Sequence, residues 1–306
     1  MLEALAELVA QLVHIALVLV AAPSLAGATD WFEARLAGRA GPSLLEPFQD
    51  LVRLFRKAPA LPENASPVLT LAPAVSLAAT LSAAALVPSI TLGMALSPLA
   101  DGLVVAGLLS IGRIAGCLAA LDIGAAPSGR GAERSSATAV LAEPALLMFV
   151  FALALMGGSF SLDQIIGQQR DGLLLPAAAS ALALTSLLAL AYADIAGSAP
   201  ELYQDLSGID LAIARFTSWL RQIVWINLIG ALFLPIGMAG PRAGIGDSGT
   251  GLAAWLIKLV AAAFCLSVVR VMFGIPARQT LSNVLRIAAL LAVLAAVIVL
   301  SSAGSA

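Results

Sequence analysis

Charge is scarce in this sequence: Asp, Glu, Lys and Arg make up 11% of its 306 residues, against 60% for the apolar set. A soluble domain carries about 25% charged and about 45–50% apolar residues, so these charges are too few to cover a water-facing surface of this size. The composition is that of a membrane protein. The net charge of −2, from 16 cations against 18 anions, provides no basic field to hold nucleic acid by counterion release. Histidine occurs once, as His14, and cysteine twice, as Cys117 and Cys265, both inside apolar stretches and without CxxC spacing. A disulfide framework, a zinc site or an iron–sulfur cluster bound by this chain alone therefore lacks its ligands. A Gly-rich nucleotide loop after a strand and a nucleophile–base pair are missing as well. The opening Met1-Leu2-Glu3 lacks a basic n-region, which disfavours a removable signal peptide.

What the chain has instead is long apolar runs. A helix needs about 20 residues to cross about 30 Å of hydrocarbon. Eight runs of that kind are present: Leu5–Leu25, Val68–Ile90, Leu99–Leu121, Ala139–Gly158, Leu174–Ala193, Thr217–Met238, Leu252–Gly274 and Val284–Ser301. The pattern predicts an all-α, polytopic fold, with residues 1–306 forming a single integral membrane domain. The connections near 90, 160–173 and 240–250 read as simple turns. No repeat of fixed period is visible, so inverted-repeat carrier folds gain no support.

The loops after spans one, three, five and seven, with their flanks, hold Arg35, Arg39, Arg53, Arg56, Lys57, Arg130, Arg134, Arg215, Arg278 and Arg286, and the opposite loops hold only Arg170 and Arg242. Short cytoplasmic loops are enriched in cations, so both termini are expected on the non-cytoplasmic side. In the first cytoplasmic connection, Leu44, Leu45, Phe48, Leu51, Val52, Leu54 and Phe55 recur at helical spacing, with Gln49, Asp50, Arg53, Arg56 and Lys57 opposite. This predicts an amphipathic helix over about 43–58, begun by Ser43 and closed before Pro59. It suits either a lipid-surface anchor or a docking role. Further cytoplasmic loops are expected over about 122–138 and 195–215.

An ionisable group at membrane depth costs several kcal/mol unless paired, hydrated or neutralised, so the few present are the candidates for chemistry. Arg113 sits mid-run in the third span, Glu143 near the start of the fourth, Asp194 at the end of the fifth and Lys258 within the seventh. Glu143 suits a proton relay if water reaches it; the alternative is a static Glu143–Arg113 pair that pins two helices. Asp194 and Lys258 each admit a solvated or snorkelling reading beside a functional one. His14 reads as a packed residue bonded to a neighbouring backbone.

Three cytoplasmic segments are sharper than any single residue. They are Leu45–Leu54, the stretch Ala119–Arg134 followed by Ala142-Glu143-Pro144, and Glu201–Ala212. Together, in this order and spacing, they resemble the membrane-anchor family shared by subunit 1 of respiratory NADH dehydrogenase and subunit 4 of formate hydrogenlyase. The likeness covers nearly the whole chain. Leu121-Asp122-Ile123-Gly124 running into a Gly-rich turn looks like the hydrogenase branch of that family.

The resemblance implies a membrane anchor and ion-coupling subunit of an energy-converting hydrogenase. Its partners would be soluble large and small hydrogenase subunits, iron–sulfur proteins and antiporter-like membrane subunits. The nickel–iron centre and iron–sulfur clusters would reside in those partners, with no cofactor in this chain. The site would be a bacterial inner membrane. By resemblance Arg134 matches the family's loop arginine and Glu143 its proton-route glutamate. Asp122, Arg130, Glu133, Glu201, Asp205 and Asp210 fall on the docking and coupling loops.

Two departures stand against these matches. Ser135 takes the place of the branch's glutamate, and the Tyr192–Glu201 loop is short and poor in acids, which predicts no built quinone chamber. A quinone-site subunit and a purely structural anchor are the alternative readings.

Overall fold

The computed structural model describes residues 2–58, 66–172, 177–197, 200–240, 245–273 and 278–303, which form ten α-helices and two short 3-10 turns. They are α1 (Leu2–Leu36), α2 (Glu46–Phe55), α3 (Pro67–Leu86), α4 (Gly102–Asp122), α5 (Ala126–Gly157), α6 (Leu162–Arg170), α7 (Ala177–Gly197), α8 (Gly208–Phe233), α9 (Ile245–Phe273) and α10 (Arg278–Ala303). Each of the eight apolar runs has most of its described residues on one long helix, and α2 and α6 are the two short ones. By length and composition, five helical stretches are long and apolar enough to cross a membrane: Leu5–Leu36, Pro67–Leu86, Gly102–Asp122, Ala126–Leu155 and Asp247–Met272. The protein is an all-α integral membrane protein.

Successive long helices alternate in direction, so the bundle has an α2 end and an α6 end. α3 packs between α4 and α8, α10 against α5 and α7, and α1 against α9 and α8. The contacts depend on small residues: Ala83, Ala263, Ala288 and Ala292 are fully buried, letting backbones approach as closely as lipid-embedded helices require. At the α3–α4 crossing a Cβ on Gly112 would stand 3.1 Å from Thr80 Oγ1, and Ser76 Oγ donates to Gly112 O at 2.7 Å.

Several expectations need correction. The 240–250 connection is helical from Ile245, where α9 begins, and the loop expected over 195–215 is narrower, because α7 runs to Gly197 and α8 begins at Gly208. The segment around 160–173 is not a simple turn: Leu162, Ile165 and Ile166 are buried, and that periodicity makes it helix α6. The glycine-rich stretch expected as a loop over 122–138 is mostly helical, because after the positive-φ break at Gly124 the chain re-enters a helix with Pro127 in its first turn. The amphipathic helix is shorter than 43–58; Leu45 holds its N-cap position, and Ser43 serves only through its backbone carbonyl, which accepts from Glu46 N at 3.0 Å.

The α6 end is stitched by backbone and side-chain bonds. Leu92 N donates to Ala239 O and Ala239 N to Ile90 O, both at 3.0 Å, while Gly102 N donates to Phe160 O at 3.1 Å. Asp163 of α6 accepts from Gly93 N at 2.7 Å and Ser97 Oγ at 2.5 Å. His14 bridges Ala84 O and Ser89 Oγ, as its packed reading expects, and Gln11 binds Ala85 O and Leu96 N.

Candidate functional site: a charged cavity and a buried carboxylate

The α2 end holds a cavity of about 1360 Å³ between α1, α2, α8 and α9, closed behind by α7 and the 3-10 turn Pro200–Tyr203. Its walls are charged. Asp30, Glu33, Glu46 and Asp50 face it together with Arg39, Arg134, Arg215, Arg221 and Arg270. Asp50 pairs with Arg215, tying α2 to α8, and with Arg53 at 2.5 Å. Arg270 Nη1 lies 3.8 Å from Asp30 and 3.9 Å from Glu33. Most of its walls come from α1, α2, α8 and α9, and the short Tyr192–Glu201 segment contributes Tyr192 and Ile195.

At the inner limit of the cavity Arg221 turns into the bundle and meets Asp194. Arg221 Nε and Nη2 donate to Asp194 at 2.5 and 3.0 Å, Trp225 Nε1 donates at 2.5 Å, and Arg113 Nη2 also donates to it. Asp194 is 2% exposed. Arg221 Nη1 continues to Leu109 O at 2.8 Å. Arg221 and Trp225 are four residues apart and so share one face of α8. The solvated reading of Asp194 is therefore overturned: its oxygens are filled by N–H donors in the interior. The Glu143–Arg113 pair is overturned too, since Arg113 is engaged by Asp194.

Glu143 stands apart from this cluster. It is half-buried, and its Oε1 is sealed from the surface without a hydrogen-bond partner. Seven residues earlier Ser136 Oγ contacts Cys117 Sγ of α4 at 3.7 Å, so helical periodicity puts Glu143 on the same α4-facing flank of α5. Lys258 is also separate, with its stem against α8: a Cβ on Gly230 would meet Lys258 Cδ at 3.7 Å.

The candidate docking residues serve local structure in several cases. Asp122 accepts from Ser66 N at 2.9 Å at the start of α3, and Asp205 accepts from Ser128 Oγ. Arg134 lines the cavity; Arg130 and Glu133 are exposed on the first turns of α5. Burial pushes the Asp210 carboxyl above its ordinary value. The backbone of Glu201 lies in the 3-10 turn, and its side chain lies outside the described residues. Tyr203, which reading the sequence did not single out, lines the cavity, and burial pushes its phenol up to about 12 against the opposing pull of Arg221.

Residues 9–301 match the family model described as NADH dehydrogenase. The chain belongs to that family of complex I-like membrane subunits. Within the family it is 30% identical over 234 residues to formate hydrogenlyase subunit 4 of Escherichia coli (strain K12), covering 72% of this chain and 76% of that one. It is 29% identical over 240 residues to hydrogenase-4 component C of the same strain, covering 73% and 74%. A further member, an NADH-quinone oxidoreductase subunit of Campylobacter jejuni, is 29% identical over 169 residues, 49% of this chain and 51% of that one. The fold is also that of a chain in the membrane-bound sulfane sulfur reductase, an archaeal respiratory membrane complex, with a TM-score of 0.79 at 20% identity over 94% of this chain and 98% of that one.

Among the described residues, no three His, Cys, Asp or Glu side chains converge as a metal-ligand set. Reading the sequence missed the cavity's acidic wall: Asp30 and Glu33 lie on α1 beyond the first apolar run, and Glu46 opens α2. It missed Arg221 and Trp225 as site residues as well. Their signal was a cation four residues into an apolar run with an indole donor one turn on.

Proposed function

We propose that this chain is the membrane anchor and ion-coupling subunit of an energy-converting, membrane-bound hydrogenase. The observation that carries the reading is the charged cavity that opens at the α2 end and stops at the Arg221–Asp194 cluster. A space of that size with nine charged walls holds water, and water is what a proton needs to reach membrane depth. The names of the two relatives matched over about three quarters of their length favour the hydrogenase branch.

In this reading the α2 end faces the cytoplasm of a bacterial inner membrane, as the cation bias favours, and both termini lie on the other side. A soluble module of nickel–iron and iron–sulfur subunits docks on the loops that carry Asp122, Arg130, Glu133, Arg134, Glu201, Asp205 and Asp210. Its electrons stay in those partners. A change of charge in the docked module is felt first by the exposed and half-buried cations, Arg130 and Arg134, and then by the cavity walls. Asp194 is held by two guanidiniums and an indole, with its lone pairs occupied. It therefore acts as a fixed counter-ion. Glu143, with one buried oxygen that has no hydrogen-bond partner, is the candidate carrier that would pass a proton toward antiporter-like membrane neighbours.

The cavity's size also favours a second reading, a quinone-reducing subunit. Purification of the complex from its native membrane, with its subunits identified, separates the two: nickel–iron subunits support the first, and a quinone-dependent dehydrogenase module replaces it. Glu143→Gln, assembled normally, should abolish ion transport in sealed vesicles while electron transfer continues. Wild-type transport in that variant would reduce the chain to a structural anchor.

A further inference from the structure

Helix α2 presents three different faces. Pro47 and Leu54, seven residues apart, are buried against the bundle, with Asp50 beside them on Arg215. Leu45, Val52 and Phe55 form a second stripe and are 63%, 51% and 54% exposed. Gln49, Arg53, Arg56 and Lys57 form a third, also exposed. Successive residues on a helix turn by about 100°, which sets the apolar and cationic stripes on opposite sides of the bundle-facing one. A helix lying flat beside a bundle at a membrane surface has that arrangement, with one flank toward hydrocarbon and the other toward water.

Two contacts fix the depth of α2. Its leading residue Leu44 rests its carbonyl oxygen on Gly27, two residues past the end of the first apolar run. Asp50 reaches Arg215, two residues before the sixth run begins. Both anchor points stand where an apolar run gives way to charge, just past Leu25 and just before Thr217, and so hold the exposed apolar stripe beside the ends of these runs. Between the stripes a shallow groove of about 460 Å³ is lined by Phe48, Gln49, Val52, Arg53 and Arg56, with an aromatic ring on one side and guanidinium groups on the other.

We propose that this face of α2 is a binding surface for anionic phospholipid of the leaflet at the α2 end. Acyl chain lies along Leu45, Val52 and Phe55, and the phosphate sits between Arg53, Arg56 and Lys57. Charge complementarity selects this occupant: Arg53 and Arg56 line the groove beside Val52, Lys57 follows them on the cationic flank, and the acids nearest to it, Glu46 and Asp50, face the cavity. The inference does not rest on the hydrogenase reading, because it needs only that the chain spans a membrane.

The test uses the purified full chain in nanodiscs of phosphatidylcholine with or without phosphatidylglycerol. Cys265 is exposed and is changed to Ser; Cys117 is buried and stays. An environment-sensitive fluorophore on Val52→Cys should emit as in an apolar medium and be quenched by shallow lipid-borne quenchers. Emission as in water would overturn the proposal, leaving the face for a protein partner. Spin-labelled phosphatidylglycerol should be enriched around the chain over phosphatidylcholine, with roughly fivefold loss of preference per cation neutralised. R56Q/K57Q tests this while keeping the Asp50–Arg53 contact. An unchanged lipid preference in that variant would also overturn the proposal.

Discussion

Arg221 grips Asp194 through Nε at 2.5 Å and Nη2 at 3.0 Å, while its remaining nitrogen reaches the carbonyl of Leu109 at 2.8 Å. One side chain thereby joins α8, α7 and α4 at the floor of the cavity. A second guanidinium, Arg113, shares the same carboxylate, so the cluster carries one excess positive charge. Placed between a charged cavity and an apolar core, that charge repels cations from going deeper at this point. It is a floor and not a relay.

Removal of the carboxylate should therefore be the most damaging change in the site. Asp194→Ala leaves two buried guanidiniums without their counter-ion, a loss of about 3–5 kcal/mol. Arg113→Gln should cost less, since Arg221 and Trp225 still hold Asp194. Thermal unfolding of the purified variants in detergent checks the order. Equal losses would mean that Arg113 is as indispensable to the cluster as the carboxylate itself.

The α6 end depends on Asp163 in the same way on a smaller scale. Asp163→Ala strips acceptors from Gly93 N and Ser97 Oγ, contacts at 2.7 and 2.5 Å, and should cost about 1–3 kcal/mol. Hydrogen exchange at residues 92–97 should accelerate in this variant while α8 stays protected. Unchanged exchange there would show that the Ile90–Ala239–Leu92 bonds hold the cap alone.

The Asp210 carboxyl supplies a pH dependence of defined sign. Burial raises its pKa in the folded chain above the ordinary carboxylate value, so the fold favours the protonated form. Its contribution to stability is complete below that ordinary value, about pH 4, and is lost as pH rises through the raised one. Asp210→Asn should flatten this part of the stability profile, measured as the unfolding midpoint from about pH 4 to 7. A profile parallel to wild type would assign the slope to other groups.

Much of this fold was legible in the sequence because lipid imposes a local rule. Each crossing must satisfy its own backbone and cover its own side with apolar residues, so the eight runs and the periodicity of α2 are visible one segment at a time. The site was not legible in the same way. Arg113 and Asp194 are 81 residues apart, Arg221 and Leu109 112 apart, and no local pattern says which buried cation takes which acid. Proximity along the apolar runs made Glu143 look like Arg113's partner. Three-dimensional packing gave Arg113 to Asp194 and left Glu143 with a vacant oxygen. The cavity was hidden for a similar reason: two of its acids, Asp30 and Glu33, lie on α1 beyond Leu25, where the apolar run ends but the helix does not.

Gly27 decides whether α2 can stay where the cavity needs it. A Cβ at this position would run into the carbonyl oxygen of Leu44, a backbone atom that cannot rotate away, so Gly27→Ala must push the start of α2 outward. Such overpacking costs about 1–3 kcal/mol. It should also strain the Asp50–Arg215 pair that closes the cavity wall, loosening α2 on the bundle. Gly107 in α4 is the control: nothing lies within 4 Å of a Cβ built there, and alanine in place of an unneeded helical glycine stabilises by about 0.5–1 kcal/mol. Gly27→Ala should lower the unfolding midpoint and speed exchange in residues 46–55, and Gly107→Ala should raise the midpoint and leave exchange in α2 unchanged. If both glycines tolerate alanine equally, α2 moves freely on α1, and the cavity is not a fixed chamber.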